Sequence, residues 1–351
     1  MKKSFRFLDL SGVGNSGKSA MIDVLREFES LHVASSNFEF DLFRVPGGIL
    51  DLRTAIVDYW SPIRSNAALK KFRKVVQSMG INPSNTDLLG LINSSSQRYD
   101  RYFNAQFTRV FNNFSDKLVL GSYESYWPYD GLSDAPFMRF IKKIGARLGS
   151  ANANYNLVSL VNSNKFDELI NDAMLQLYSE IVGGEKKWVT FNNSFEPYTP
   201  EPFFKMLPTA KQIVVLRDPR DIYVSGKNPK TSTQENKLLL TDYHSQANYS
   251  FLASDDLSVF VKRYELYRSK VLAKPNERVL QINFEDLCLN YNNVVEKIYS
   301  FLDLTAKDHN RIGEYFKPEL SKKNVGLWKA YTHKSEIEYI ESNLGQYLYS
   351  L

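Results

Sequence analysis

The chain has 351 residues, 43% of them hydrophobic, 24% charged and 14% aromatic, with a formal net charge of +5. That is the composition of a globular protein with room for one large domain or two ordinary ones, and the small positive excess suits an anionic ligand in one pocket, not the concentrated basic stripe that coats nucleic acid. One cysteine (Cys288) and four scattered histidines (His32, His244, His309, His333) exclude an intrachain disulfide and a thiolate zinc site, so no metal is expected; with no signal-like leader and no apolar run near the roughly 20 residues of a membrane span, the expected compartment is the reducing cytoplasm.

The opening run "FRFLDLSG" reads as a short buried strand, and Ser19 to Leu31 as a helix with Met21, Ile22, Leu25 and Phe28 on one stripe. "NFEFDLFRV" alternates as a second strand. Residues 51–114 read as helix, broken at Pro62 and at "GINPSNTD". "KLVLGSY" is the next strand, followed by a helical stretch from about 135 to 182. "KKWVTFNN", "AKQIVVLRD" and "ERVLQINFED" are three more buried strands, with helices in "DLSVFVKRYELYRSKVLAK" and "NNVVEKIYSFLDL". Short apolar strands separated by helices predict an α/β fold, a parallel sheet with helices on both faces in three layers. The expected organisation is one domain, 1–351, with helical insertions at about 55–115 and 135–182. Ligands of such sheets sit at the carboxyl ends of the strands, so the informative residues should follow strands directly.

Gly12, Gly17, Lys18 and Ser19 satisfy G-x-x-x-x-G-K-S between a predicted strand and a predicted helix, the context that gives this motif its meaning. Gly14, Asn15, Ser16 and Gly17 let backbone N–H groups curl into a nest, the helix N-terminus adds partial positive charge, and Lys18 adds a full one. A phosphate ester is the natural occupant. The motif does not name it. A magnesium-dependent triphosphate enzyme needs a later strand-end acid, for which Asp218 is the best candidate. Asp218, however, lies in "KQIVVLRDPRDIYVSGK", where Arg217 ends a strand and Ser225 falls about two helical turns on; both could reach one phosphate, the arginine through a planar, permanently charged contact.

With that string the chain resembles the sulfotransferase superfamily, whose 3′-phosphate-binding signature has the same R-D-P-R-D…S form. "QINFEDLCLN" resembles the family's Y-E-D-L segment, with Phe284 in place of tyrosine and Glu285 and Asp286 matching. "SKKNVGLWKAYT" resembles its R-K-G-x-x-G-x-W-K loop in Gly326, Trp328 and Lys329, with Ser321, Lys322 and Lys323 where Arg-Lys-Gly is usual. The resemblance implies a P-loop-type fold and 3′-phosphoadenosine 5′-phosphosulfate as co-substrate. It implies that Arg217 and Ser225 hold the 3′-phosphate, that Lys322, Lys323, Gly326 and Trp328 close over the nucleotide, and that Asp218, Arg220 and Asp221 brace the turn.

The family's 5′-phosphosulfate loop usually reads (K/R)-S-G-T-T. Here it is Asn15-Ser16-Gly17-Lys18-Ser19, with asparagine at the usual cation and lysine at the first threonine. Lys18 takes the electrostatic role and Gly17 and Ser19 the cradle. For the base, Glu39 and Asp41 lie two apart on one face of the expected second strand, and Glu39 fits a glutamate context of heparan-type carbohydrate sulfotransferases; His244 is a weaker candidate. "GSYESYWPYDG" gathers Tyr123, Glu124, Tyr126, Trp127, Tyr129 and Asp130, and "TFNNSFEPY" adds Asn192, Asn193 and Glu196, a set that suits a sugar or packs as ordinary loop. The expected function is sulfuryl transfer to a hydroxyl of a carbohydrate acceptor, with no nucleic acid as partner. A nucleoside-triphosphate kinase and a non-catalytic nucleotide-binding module remain open.

Overall fold

The computed structural model describes residues 5–33, 38–80, 99–129, 155–162, 164–195, 197–227, 256–271 and 276–351, with a few isolated positions between them. In chain order its main elements are β1 (Arg6–Ser11), α1 (Lys18–Arg26), β2 (Leu31–His32), α2 (Pro62–Gly80), α3 (Phe107–Lys117), β3 (Val119–Tyr126), β4 (Tyr155–Val161), α4 (Phe166–Ser179), β5 (Trp188–Asn192), β6 (Lys211–Leu216), α5 (Pro219–Gly226), α6 (Leu257–Val271), β7 (Val279–Asn283), α7 (Phe284–Leu289), α8 (Tyr291–Leu302) and α9 (Lys334–Leu344). They fall into two compact units, Met1–Asp41 with Ile181–Leu351, and Leu42–Glu180.

The first unit is built on a five-stranded sheet in the order β2-β5-β1-β6-β7. Every pairing in it is parallel. Period-two alternation in "KQIVVL" sends side chains to opposite faces, and both faces are covered. Ile213 and Val215 pack with Met21, Ile22 and Leu25 of α1 and with Val294 and Ile298 of α8. Val214 and Leu216 pack with Ile222 of α5, Phe260 and Tyr264 of α6, and Ile340 and Leu344 of α9. Helix, sheet and helix make the three layers read from the sequence. Polar side chains interrupt the second face at Asp9, which is fully buried and accepts hydrogen bonds from Ser11 Oγ, from the Ser194 N–H at 2.8 Å and from Gln212 Nε2 at 3.2 Å. Burial raises its pKa.

The second unit joins helices to a hairpin. Phe72 of α2 meets Phe111 and Phe114 of α3 edge-on, and Phe114 meets Phe166 of α4. β3 and β4 pair antiparallel, and Asn66 Oδ1 of α2 accepts the Ser159 N–H of β4 at 3.0 Å. Arg53 grips Asp167 through Nε at 2.8 Å and Nη2 at 3.0 Å, which fastens the start of α4.

Four expectations need correcting. "NFEFDLFRV" is not a strand: Phe38 and Phe40 lie in irregular chain and Asp41–Phe43 forms a 3₁₀ turn. Phe40, Leu42 and Phe43 are all fully buried, so the alternation fails at Leu42-Phe43, and Glu39 and Asp41 do not share a strand face. "KLVLGSY" does not enter the parallel sheet; it pairs in the hairpin, where most of β3 is exposed. Within the stretch expected to be helical from 135 to 182, Tyr155–Val161 is β4. Finally, α1 stops at Arg26 and leaves Leu31 to β2. The next residue, Glu27, has its buried carboxylate taken by the N–H groups of Gly313 at 2.8 Å and Phe316 at 2.9 Å, by Tyr291 Oη at 2.8 Å and by His309 Nε2 at 3.1 Å.

Ile213 is a fully buried β6 residue between sheet and helices. Ile213→Ala is expected to lower the unfolding free energy by about 2–5 kcal/mol, read as a lower urea midpoint at unchanged slope.

Candidate functional site

The carboxyl tips of adjacent strands β5, β1, β6 and β7 present, in turn, Asn193, the 12–17 turn, Arg217 and the start of α7. The turn is shaped by left-handed backbone at Asn15 (φ 64°) and Gly17 (φ 89°). No side chain caps α1, and its first turn carries no acid, so its leading N–H groups are left for a ligand. Glycine is required at 17 on a second ground: a Cβ there would lie 2.2 Å from Phe284 Cδ2. At Gly12 a Cβ would lie 2.6 Å from Ser16 Oγ, and that hydroxyl is buried without a hydrogen-bond partner.

Lys18, the first residue of α1, donates to Glu39 Oε1 at 3.0 Å, with 16% and 19% of the two side chains exposed. Asn193 Nδ2 reaches the same oxygen at 3.3 Å, and Asn193 Oδ1 accepts the Gly12 N–H at 3.4 Å. The strand-tip cation and the candidate carboxylate are therefore neighbours. Asp41 lies buried in its 3₁₀ turn.

Arg217 is buried at the tip of β6. Its guanidinium donates to the carbonyls of Asn15 at 2.7 Å and Asn324 at 2.5 Å, and its Nε has no partner. It lies 4.9 Å from the Phe284 ring centroid. Burial lowers its pKa, opposed by the carboxylates of Asp221, Glu285 and Asp218, none of which pairs with it directly. Those acids are engaged with the backbone. Asp218 caps α5, accepting the Arg220 N–H at 2.8 Å. Asp221 accepts the N–H groups of Gly326 at 2.7 Å and Trp328 at 3.2 Å. Glu285 accepts the Asp218 N–H at 2.8 Å. Arg220 pairs with Asp218 at 2.6 Å and Glu341 at 2.7 Å and lies 3.8 Å over the Trp328 ring.

The remaining candidates have separate surroundings. Ser225 stands half-buried in the last turn of α5, and a Cβ on its neighbour Gly226 would lie 3.8 Å from Asn15 Nδ2. Ser19 follows Lys18 in the first turn of α1. Lys322 is half-exposed and pairs with Glu319 at 2.7 Å, and Lys323 is exposed. Trp328 Nε1 is buried without a partner. A cavity of about 470 Å³ is lined by Ala20 and Asp23 of α1 and by Tyr315, Phe316, Lys317, Leu320 and Ser321. That volume is in the usual range for a small-molecule pocket. In the other unit Tyr123, Tyr126 and Tyr129 are half or more exposed or nearly so, Glu124 is exposed, and Trp127 is buried edge-on against Tyr129. His244, Asp130 and Glu196 lie outside the described residues. Among the described residues no group of acids, histidines and cysteine could hold a metal ion, and no helix is long and apolar enough to cross a membrane.

Residues 142–308, which include the strand-tip arginine and its helix, match the family model described as "Sulfotransferase family". That segment, just under half of the chain, is similar to the sulfotransferase family. No protein of curated function matches the chain. Among solved structures it is similar to a sulfotransferase domain from the curacin biosynthetic pathway (15% identity, 100% of each chain covered, TM-score 0.40). It is also similar to a sulfotransferase domain from the olefin synthase of Synechococcus PCC 7002 (12%, 100% of this chain and 96% of that one, TM-score 0.38) and to sulfotransferase STF9 from Mycobacterium avium (12%, 98% and 76%, TM-score 0.37). The chain's match over residues 142–308 points to sulfuryl transfer, for which that family implies 3′-phosphoadenosine 5′-phosphosulfate as donor. Its own geometry fits such a donor: partnerless buried donors at Ser16, Arg217 and Trp328 and an uncapped helix start suit a ligand anionic at more than one point.

Asn193 and Glu285 carry more of the site than their sequence positions announce. Asn193 follows a strand directly, which is the available signal. Glu285 is fully buried, and burial pushes its carboxyl up to about 7. An acid raised in the folded state binds its proton more tightly folded than unfolded. Stability from this group is therefore greatest at acid pH and declines as pH rises from about 4.5 to about 7. Between those limits the wild type should lose about 3 kcal/mol relative to Glu285→Gln, since one unit is about 1.4 kcal/mol; urea unfolding of both proteins across pH 4 to 8 checks it.

Proposed function

We propose that this protein is a sulfotransferase that moves the sulfuryl group of 3′-phosphoadenosine 5′-phosphosulfate to a hydroxyl of a carbohydrate acceptor, with Arg217 and Ser225 at the donor's 3′-phosphate and the Gly14–Ser19 turn at its 5′-phosphosulfate. The observation that carries the reading is Arg217. A buried guanidinium with an unpartnered Nε and, among the described residues, no carboxylate in direct contact is a charge held ready for an anion. Lys322 and Lys323, in the turn that ends on the Asn324 carbonyl held by Arg217, and Gly326 and Trp328, held by Asp221, close the nucleotide side.

When bound, the donor supplies a sulfuryl group on a phosphate leaving group. Lys18 meets the charge that develops on the 5′-phosphate oxygen as the bridging S–O bond breaks. Glu39 takes the acceptor hydroxyl's proton as the new O–S bond forms, and its contact with Lys18 supports the pairing of these roles. Asp41 is the second candidate base. The exposed tyrosines of β3 beside Glu124 support a sugar, since ring faces take C–H patches and a carboxylate takes hydroxyls. The buried, unpaired Cys288 supports work in the reducing cytoplasm.

Adenosine 3′,5′-bisphosphate should bind without metal, raising the unfolding free energy by about 2.7 kcal/mol at a hundredfold excess over Kd. Arg217→Lys should weaken that binding about tenfold or more, as a forked contact becomes a point charge. Glu39→Gln should keep binding and lower turnover by roughly 10²–10⁴ on a panel of sugars. Stabilisation by ATP with magnesium and none by the bisphosphate would overturn the reading, and a panel in which only non-sugar hydroxyls react would overturn its acceptor.

A further inference from the structure

Glu39 sits in irregular chain, so no strand ladder fixes it. Its neighbours Phe38 and Phe40 are buried and pin the backbone, Phe40 stacking on Phe191 of β5 at 6.1 Å. Two side chains reach the carboxylate from the phosphate turn and the β5 tip, Lys18 and Asn193. Lys18 holds Oε1 at 3.0 Å, yet Lys18 is also the cation at the head of the phosphate turn. A phosphosulfate in that turn competes for the ammonium, whereas the contact of Glu39 with the Asn193 amide does not depend on it.

We propose that Asn193 is a positioning residue for sulfuryl transfer, an amide bridge that ties the Glu39 carboxylate to the phosphate turn while Lys18 turns to the donor. The proposal rests on the reading of Glu39 as base and Lys18 as cation. Asn193 is set for this by its place. It follows the tip of β5, its N–H donates to Leu10 O of β1 at 2.9 Å, and its backbone is left-handed (φ 57°), a conformation asparagine tolerates better than other side-chain-bearing residues. From there Nδ2 points to Glu39 Oε1 at 3.3 Å and Oδ1 takes the Gly12 N–H at 3.4 Å. One amide thus spans the first N–H of the turn and the base. Both contacts are long, so their effect is on direction and not on stability. A hydroxyl proton can pass to Glu39 only if the carboxylate faces the attacking oxygen when the S–O bridge breaks, and a carboxylate turned away from it cannot take that proton.

The test is a double-mutant cycle on the full chain, with turnover read as bisphosphate released from 3′-phosphoadenosine 5′-phosphosulfate in a pool of neutral mono- to tetrasaccharides. Asn193→Gly removes the side chain and keeps the backbone unstrained. Asn193→Asp keeps an oxygen for the Gly12 N–H and replaces the N–H aimed at Glu39 with a carboxylate oxygen that repels it. Each should lower kcat by about 10–10², the scale of a small misplacement, and leave the melting temperature nearly unmoved. Calorimetry should show the bisphosphate Kd within about threefold of wild type for Asn193→Gly, as expected of a residue outside the anion's contacts. Added to Glu39→Gln, Asn193→Gly should cost almost nothing more, because the two act as a unit. The proposal is overturned if the losses multiply, if Asn193→Gly turns over like wild type, or if its loss lies in bisphosphate binding. Full turnover by Glu39→Gln, or no release by the wild type, would sink the base reading and this proposal with it, while intact bisphosphate binding would leave the donor site standing.

Discussion

The site depends on a guanidinium buried at the tip of a central strand with backbone carbonyls, not carboxylates, in contact with it. Arg217 closes a seam between Asn15 O of the phosphate turn and Asn324 O of the later loop. Burying a charge is costly unless it is hydrogen-bonded, and here two carbonyls solvate the guanidinium without neutralising it. The Arg217 carbonyl is itself held by Tyr264 Oη at 2.8 Å, so a residue of α6 fixes the strand tip from beneath. The charge is then kept at a place where two separated pieces of chain must both be in register for it to exist.

The acids around it follow the same logic. Asp218, Asp221 and Glu285 all lie close enough to favour the charged arginine, yet each is used on backbone N–H groups. Had one formed a direct pair with Arg217, an incoming phosphate would have to break it. Arg220 takes that duty instead, joining Asp218, Glu341 and the carbonyl of Tyr349 while lying against Trp328. The two arginines of one short string therefore differ in surroundings: Arg220 is paired with carboxylates that fasten the frame, and Arg217 is held by backbone carbonyls. Glu285 is raised to about 7 because it sits in this frame fully buried with only one oxygen satisfied.

Most of this frame was legible because it is local. The phosphate turn, the strand before it and the arginine after "KQIVVL" each lie in a run of fewer than about ten residues, where alternation, glycine and a helix start act together. What the sequence hid is what distance decides. "NFEFDLFRV" alternates like a strand, but Leu42 and Phe43 are both buried and the backbone turns. "KLVLGSY" has three apolar residues in a row and still lies in a hairpin, because its partner is the distant "YNLVSLV", with no local sign of the pairing. The bridge from Asn193 to Glu39 spans 154 positions and leaves no pattern in either stretch.

The departure at residue 15 has a physical account in the same geometry. The position that usually carries the catalytic cation of this turn holds an asparagine whose backbone is left-handed and whose carbonyl is the acceptor for Arg217. Left-handed backbone is unfavourable for lysine and arginine and tolerable for asparagine. A long cation at 15 would therefore strain the very carbonyl that anchors the guanidinium, and its own charge would stand beside a second buried one. At residue 18 neither cost arises, because Lys18 has helical backbone and a carboxylate 3.0 Å away to balance it until an anion arrives. Moving the cation three residues along the turn, from its tip to the first turn of α1, keeps the positive charge at the phosphate end and gives residue 15 to conformation.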